Sequence, residues 1–187
     1  HPSSLIVRFY GLHGLRVKRE RSALGHKEES VYIVVMGNLF NTPLSVDKRY
    51  DLKGSWIGRS MGKSESTGKD NDFVDRNEKL VLCEEDRKSI LDRISSDCNF
   101  FKTHGIIDYS LLLGIHNITP QTVKGPSGIM SKDGRHVYYL GIIDILCVYG
   151  TRKKFEHFFK SIRYLTGEGI SAVDPKSYAD RFIKFIQ

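Results

Sequence analysis

The chain is short of cysteine and without a long apolar run, and each shortage excludes something. Its three cysteines, Cys83, Cys98 and Cys147, are too few and too widely spaced for a disulfide framework. None falls in a C-x-x-C or Cys/His zinc spacing, so a reducing, intracellular setting is the expectation. The longest apolar stretch, residues 137–149, is interrupted by Asp144 and is too short to cross a bilayer. No charged-then-apolar signal segment opens the chain. Neither G-x-x-x-x-G-K-S/T nor G-x-G-x-x-G occurs, so the two common Gly-rich phosphate cradles are absent from these residues. Internal repeats and long low-complexity tracts are absent as well.

What remains is a basic chain of ordinary globular composition. Of 187 residues, 40% are hydrophobic and 27% charged, and 29 Lys and Arg stand against 22 Asp and Glu, a net charge of +7. Wholesale disorder and a collagen-like repeat are poor readings of such numbers. The length suits one domain or part of a larger one. The charge admits three partners: nucleic acid, an acidic membrane surface or a polyphosphate ligand.

The pattern along the chain is α+β. Residues 5–10 and 31–36 are rich in branched and aromatic side chains and are predicted strands, with the basic stretch 16–27 as their connection. Between residues 84 and 104, Ile90, Ile94, Cys98 and Phe101 recur at steps that place them on one helix face. Acidic residues 84–86 suit the start of that helix and Gly105 its end. Residues 111–115 and 137–149 are predicted as two further strands. Asp174 followed by Pro175 is an N-cap and first-turn pair, with Tyr178, Phe182, Phe185 and Ile186 as the buried stripe of a last helix. Two polar stretches, 58–72 and 119–135, are predicted surface loops.

Two aspartates interrupt apolar runs: Asp108 in Ile106-Ile107-Asp108-Tyr109-Ser110-Leu111, and Asp144 in Ile142-Ile143-Asp144-Ile145-Leu146. A carboxylate in such surroundings must find a donor, a cation or a site mouth, because burying even a neutral polar group unpaired costs roughly 2–7 kcal/mol. A turn cap or a structural ion pair would account for either one alone. Together they fit phosphoryl transfer, in which one carboxylate orients the attacking hydroxyl and another holds magnesium against nucleotide phosphates. The HRD and DFG signatures of protein kinases are absent, which disfavours an ordinary protein kinase.

Two basic segments add to this. The block Tyr50-Asp51-Leu52-Lys53-Gly54-Ser55 opens a loop carrying Arg59, Lys63 and Lys69. Such a loop can present backbone N–H groups and cations to phosphate, or can simply be solvated. Residues 151–163 hold Arg152, Lys153, Lys154, Lys160 and Arg163 against the single Glu156, interleaved with Phe155, Phe158 and Phe159. Core packing and membrane contact are both open there. A net of four basic charges at an anionic surface is worth roughly 4 kcal/mol, enough for reversible docking and not for anchoring.

Taken together, these blocks resemble the phosphatidylinositol phosphate kinases, in order and over nearly the whole chain. The matching stretches are Tyr32-Ile33-Val34-Val35-Met36-Gly37-Asn38-Leu39-Phe40, the Asp51 to Ser55 block with Arg59, and Lys69-Asp70-Asn71-Asp72-Phe73. Asp108-Tyr109-Ser110-Leu111-Leu112 with Gly114-Ile115-His116 comes next, followed by Ile142-Ile143-Asp144 and Lys153-Lys154 with Glu156-His157 and Lys160. Pro175, Tyr178 and Arg181-Phe182 complete it.

The resemblance implies a distant relative of the protein-kinase fold. Residues 1–40 would be the last strands of the small lobe and the hinge, and residues 41–187 the large lobe, with an activation loop at about 145–172. It implies Asp108 as the catalytic-loop aspartate near the inositol hydroxyl and Asp144 as the magnesium-binding aspartate. Asn38, Leu39 and Phe40 would face the adenine of ATP, and Arg59 and Lys69 the phosphate already on the inositol ring. Lys153 and Lys154 would meet the membrane, with Glu156 selecting the substrate. ATP and Mg2+ are the implied cofactors, and a phosphoinositide at an anionic membrane is the implied partner of a cytoplasmic, peripherally bound protein.

The Lys-Lys-x-Glu-His pattern at 153–157 resembles the branch that phosphorylates phosphatidylinositol 4-phosphate at the 5-position. Phe158 and Phe159 depart from the Ser-Trp more usual in that branch. The family's Gly-rich loop and ATP-binding lysine lie upstream of the strand that residues 5–10 resemble. The chain is therefore expected to be a piece lacking most of the small lobe and inactive by itself. A homodimer is one open option for its assembly. The runner-up expectation is a non-catalytic module for anionic phosphoinositide membranes. Nucleic-acid binding rests on net charge alone, because the aromatics sit in buried-looking stripes and do not form an exposed stacking set.

Overall fold

The computed structural model describes residues 3–21, 25–120, 122, 128–149 and 174–187, with the backbone alone for 17–21 and 25–29. The chain divides into two units, Val7–Leu39 and His1–Ile6 with Phe40–Gln187.

The smaller unit is an antiparallel hairpin of β1 (Phe9–Arg21) and β2 (Gly25–Met36), in register from Gly11 opposite Val35 to Arg21 opposite Gly25. The basic stretch 16–27 thus belongs largely to the two strands and is not the connection its composition suggested. Backbone ladder bonds extend a two-stranded ribbon without needing an apolar face, and Tyr10, Leu12 and Tyr32 remain exposed on this one. The predicted strand 5–10 also divides. Ile6 forms a parallel bridge to Ile142 and the Ile142 N–H donates to the Leu5 carbonyl at 2.8 Å, both within the larger unit, whereas β1 begins only at Phe9. Buried Asp97 accepts the Leu5 N–H at 2.7 Å and ties this segment down.

In the larger unit, β3 (Lys48–Leu52), β5 (Ser110–Asn117), β6 (Ile129–Met130) and β7 (His136–Ile143) form an antiparallel sheet in the order β3-β5-β7-β6. Two short strands, β4 (Ile106–Ile107) and β8 (Cys147–Val148), pair beside it. The helices are α1 (Asp70–Asp75), α2 (Glu84–Thr103) and α3 (Pro175–Ile186). Strand β7 is buried along almost its whole length and β5 at most positions, which explains their near-continuous apolar sequences.

Helix α2 begins with Glu84, Glu85 and Asp86 in its first turn, where acidic side chains complement the helix dipole, and Gly105 follows its end at φ +66°. Ile90, Ile94, Cys98 and Phe101 are all buried, as their spacing predicts. Burying a side chain of that size contributes roughly 1.5–3 kcal/mol. Asp174 caps α3 by accepting the N–H groups of Lys176 and Ser177. Tyr178, Ala179 and Phe182 are buried, while Phe185 and Ile186 are half-buried. The three cysteines are free, and burial pushes the Cys98 thiol up to about 11, leaving it inert near neutral pH. Among the described residues no helix is long and apolar enough to cross a membrane.

Candidate active site

Strand register gathers the site. Leu52, the last residue of β3, lies opposite Leu111, and Ser110, the first of β5, lies opposite Ile143, the last of β7. Lys53, Asp108 and Asp144 therefore all emerge from one end of the same sheet. The two aspartates are also where the chain passes between the small pair and the large sheet. One side crosses from Ile107 to Ser110 through Asp108, and the other from Ile143 to Cys147 through Asp144. The predicted strand 137–149 is consequently two strands with a corner between them. Both corner residues adopt left-handed backbone, Asp108 at φ +64° and Asp144 at φ +63°. Asp tolerates that conformation better than branched residues do, and non-Gly residues held there concentrate at functional sites.

Lys53 Nζ donates to the Asp108 carboxylate at 2.8 Å and to its backbone carbonyl at 2.7 Å. The lysine side chain is 15% exposed and the aspartate 40%, so the pair faces solvent from the acid's side. A carboxylate held in this way can accept a proton from a hydroxyl brought to it, while the adjacent ammonium neutralises nearby anionic oxygen.

Behind Lys53 stands Asp70, 2% exposed at the start of α1. Its carboxylate accepts the N–H groups of Lys53 (3.0 Å), Gly54 (2.7 Å) and Ser55 (3.2 Å) and the Arg59 Nε at 2.8 Å. Arg59 Nη2 meanwhile donates to the carbonyl and the carboxylate of Asp51. Nη1 is the guanidinium nitrogen outside this clamp. The turn after β3 is thus wrapped around one buried, fully satisfied carboxylate, which fixes where Lys53 starts.

Asp144 differs. No described residue gives its carboxylate a hydrogen bond or an ion pair. Although the residue as a whole is solvent-accessible, desolvation by the surrounding protein raises its pKa above the usual carboxylate value. Asp51 and Asp108 push the same way and Lys53 and Arg59 oppose them, which places all five groups in one electrostatic neighbourhood. Among the described residues no three or more His, Cys, Asp or Glu side chains are placed to hold a metal by themselves.

Asp108 and Asp144, chosen from the sequence as a pair, do come together. Arg59 sits in the Asp51–Asp70 clamp. Lys69 pairs with Glu65 at 2.8 Å in the exposed loop. Asn38 and Leu39 belong to the smaller unit and Phe40 to the larger, where the Arg49 guanidinium lies 5.4 Å over its ring. Lys153, Lys154 and Glu156, with most of the predicted activation loop, lie outside the described residues. Sequence reasoning passed over Lys53 and Asp70 as site members, although both stood in the quoted blocks. It also took residues 50–55 as the opening of a loop, when Lys48–Leu52 is strand β3 with buried Tyr50 and Leu52. The alternating Tyr50 and Leu52 were the one available signal.

The sequence pattern of a family described as phosphatidylinositol-4-phosphate 5-kinase matches residues 1–129 and 120–187. The chain belongs to the phosphatidylinositol phosphate kinase family. A Plasmodium falciparum protein named phosphatidylinositol 4-phosphate 5-kinase is 31% identical over 222 aligned residues, covering 100% of this chain and 13% of its own length. A probable phosphatidylinositol phosphate kinase of Dictyostelium discoideum is 32% identical, over 100% of this chain and 35% of its own. A mouse phosphatidylinositol 5-phosphate 4-kinase type-2 gamma is 30% identical, over 100% of this chain and 57% of its own. The chain thus spans about half the length of these relatives or less, and their names divide between the two phosphorylation positions.

Proposed function

We propose that this chain carries the catalytic centre of a lipid kinase that passes the γ-phosphate of ATP to the 5-hydroxyl of phosphatidylinositol 4-phosphate, giving phosphatidylinositol 4,5-bisphosphate. The observation that carries the reading is the convergence of Lys53, Asp108 and Asp144 at one sheet end. In this reading Asp108 orients the inositol hydroxyl and accepts its proton, with Lys53 holding the carboxylate in place. A magnesium ion fits Asp144, a desolvated carboxylate with no donor among the described residues and four further charged side chains, Lys53, Asp51, Asp108 and Arg59, in its electrostatic neighbourhood. Mg2+ commonly takes only one or two protein carboxylates and completes its shell with phosphate oxygens and water. When bound, it would neutralise the charge of the nucleotide phosphates.

Arg59, through Nη1, and Lys69 are assigned to the phosphate already on the inositol ring, and Asn38, Leu39 and Phe40 to the adenine. Residues 1–40 are read as the end of a small lobe with its hinge and 41–187 as a large lobe. The protein would act in the cytoplasm, with Lys153 and Lys154 meeting an anionic membrane. Glu156 is assigned the choice of lipid, which supports the 5-kinase branch over the 4-kinase one. Glu156→Ala in the full protein is expected to raise turnover of phosphatidylinositol 5-phosphate relative to the 4-phosphate, as read by chromatography of the two products from matched vesicles. An unchanged ratio removes Glu156 from the selection.

A further inference from the structure

The C-terminal group of residues Pro175, Tyr178 and Arg181-Phe182 has no part in the chemistry assigned above, yet α3 touches the residue that follows each half of the Lys53–Asp108 pair. On one side, Tyr178, 5% exposed, donates its hydroxyl to the carbonyl of Tyr109, the residue that follows Asp108, at 2.5 Å. The Tyr109 ring is enclosed by Phe101 of α2 at 4.4 Å and by Tyr178 and Phe182 of α3 at 4.7 and 5.1 Å between centroids. On the other side, Gly54, which follows Lys53, lies against α3. A Cβ there would come within 3.1 Å of the Arg181 carbonyl, the Phe182 Cα and the Phe185 Cβ, and its φ of +66° favours glycine in any case. The helix therefore closes a ring: α3, Gly54, Lys53, Asp108, Tyr109 and back through Tyr178.

We infer that Tyr178 is a positioning residue for Asp108: its hydroxyl pins the carbonyl of Tyr109, one residue beyond the left-handed corner, and so sets the carboxylate against the Lys53 ammonium. This rests on the lipid-kinase reading above. A corner at φ +64° in a non-glycine residue needs surroundings that over-determine it, and the Tyr178 bond to the Tyr109 carbonyl adds a second constraint next to the Lys53 bond on the Asp108 carbonyl. The Arg181 guanidinium lies 4.9 Å over the Tyr178 ring and steadies it from its other surroundings. Burial, with the Asp108 carboxylate nearby, raises the Tyr178 pKa, so the hydroxyl remains a donor throughout the working pH range.

Steady-state kinetics on the full protein, with ATP and phosphatidylinositol 4-phosphate vesicles, test this with Tyr178→Phe and, as a packing control on the same helix, Phe182→Leu. Tyr178→Phe keeps the ring and removes only the hydroxyl. It is expected to lower kcat about tenfold to a hundredfold, to leave KM for ATP within about twofold and to melt close to the unmodified protein. Phe182→Leu is expected to lower the melting temperature while keeping kcat per folded molecule. Unmodified kcat in Tyr178→Phe overturns the inference, as does an equal loss of kcat in both variants, which would mark α3 as general support. Absence of turnover in the unmodified protein overturns the lipid-kinase reading and this inference with it.

Discussion

Replacing Asp144 with Asn is expected to lower phosphoryl transfer by about 10³-fold or more, since charge stabilisation at a bound metal is worth several kcal/mol and each 1.36 kcal/mol is a decade in rate. The same change is expected to leave the fold intact and somewhat more stable at neutral pH. Asn accepts left-handed backbone as well as Asp does, so the corner at φ +63° survives. The gain follows from the raised carboxyl pKa. A folded-state pKa above the unfolded value means that the native state binds the extra proton, so stability falls as pH rises from the ordinary Asp value through the raised one. At neutral pH that penalty is fully present in the unmodified protein and absent from Asp144→Asn. Melting curves should therefore separate at pH 7 and converge towards pH 3. Separation in the opposite sense, or turnover near the unmodified level, would remove Asp144 from its assigned place.

Asp70→Ala is expected to cost about 3–5 kcal/mol of stability, the range for breaking a buried ion pair from one side. Arg59 would be left half-buried with only Asp51, and the N–H groups of Lys53, Gly54 and Ser55 would lose their acceptor. Asp70→Asn keeps an oxygen for those N–H groups and loses only the charge, so its loss should be smaller. Because the Asp70 clamp sets the start of Lys53, both variants should also lose turnover per folded molecule. Urea denaturation of the two variants checks the order. A loss below about 1 kcal/mol for Asp70→Ala would show that the turn holds without its buried carboxylate.

The two longer helices, α2 and α3, were the legible part of the fold, whereas α1 begins inside the predicted loop 58–72. The 3.6-residue period of Ile90, Ile94, Cys98 and Phe101 and the Asp-Pro start of α3 are local signals, and the folded chain keeps both because burial and capping act on the same residues. The long hairpin was legible only at its base, residues 9–10 and 31–36. Its strands continue through a basic stretch by backbone pairing, for which side-chain periodicity carries no record. Strand β3 offers two buried side chains in five residues, too short a pattern to separate from a loop.

The site shows the same division. Asp108 and Asp144 were conspicuous because a carboxylate inside an apolar run is locally anomalous. Their meeting, however, depends on Ser110 pairing with Ile143, which no window of sequence contains. Lys53 and Asp70 looked ordinary in a polar loop. Their importance lies in contacts 55 and 17 residues away along the chain.

The most direct test of the central claim is transfer of radiolabelled γ-phosphate from ATP to vesicles containing phosphatidylinositol 4-phosphate, by the full protein and by its Asp144→Asn variant. The account predicts labelled phosphatidylinositol 4,5-bisphosphate from the unmodified protein and almost none from the variant at equal folded concentration. Equal labelling by both, or no labelling by the unmodified protein with binding to the vesicles retained, would contradict it.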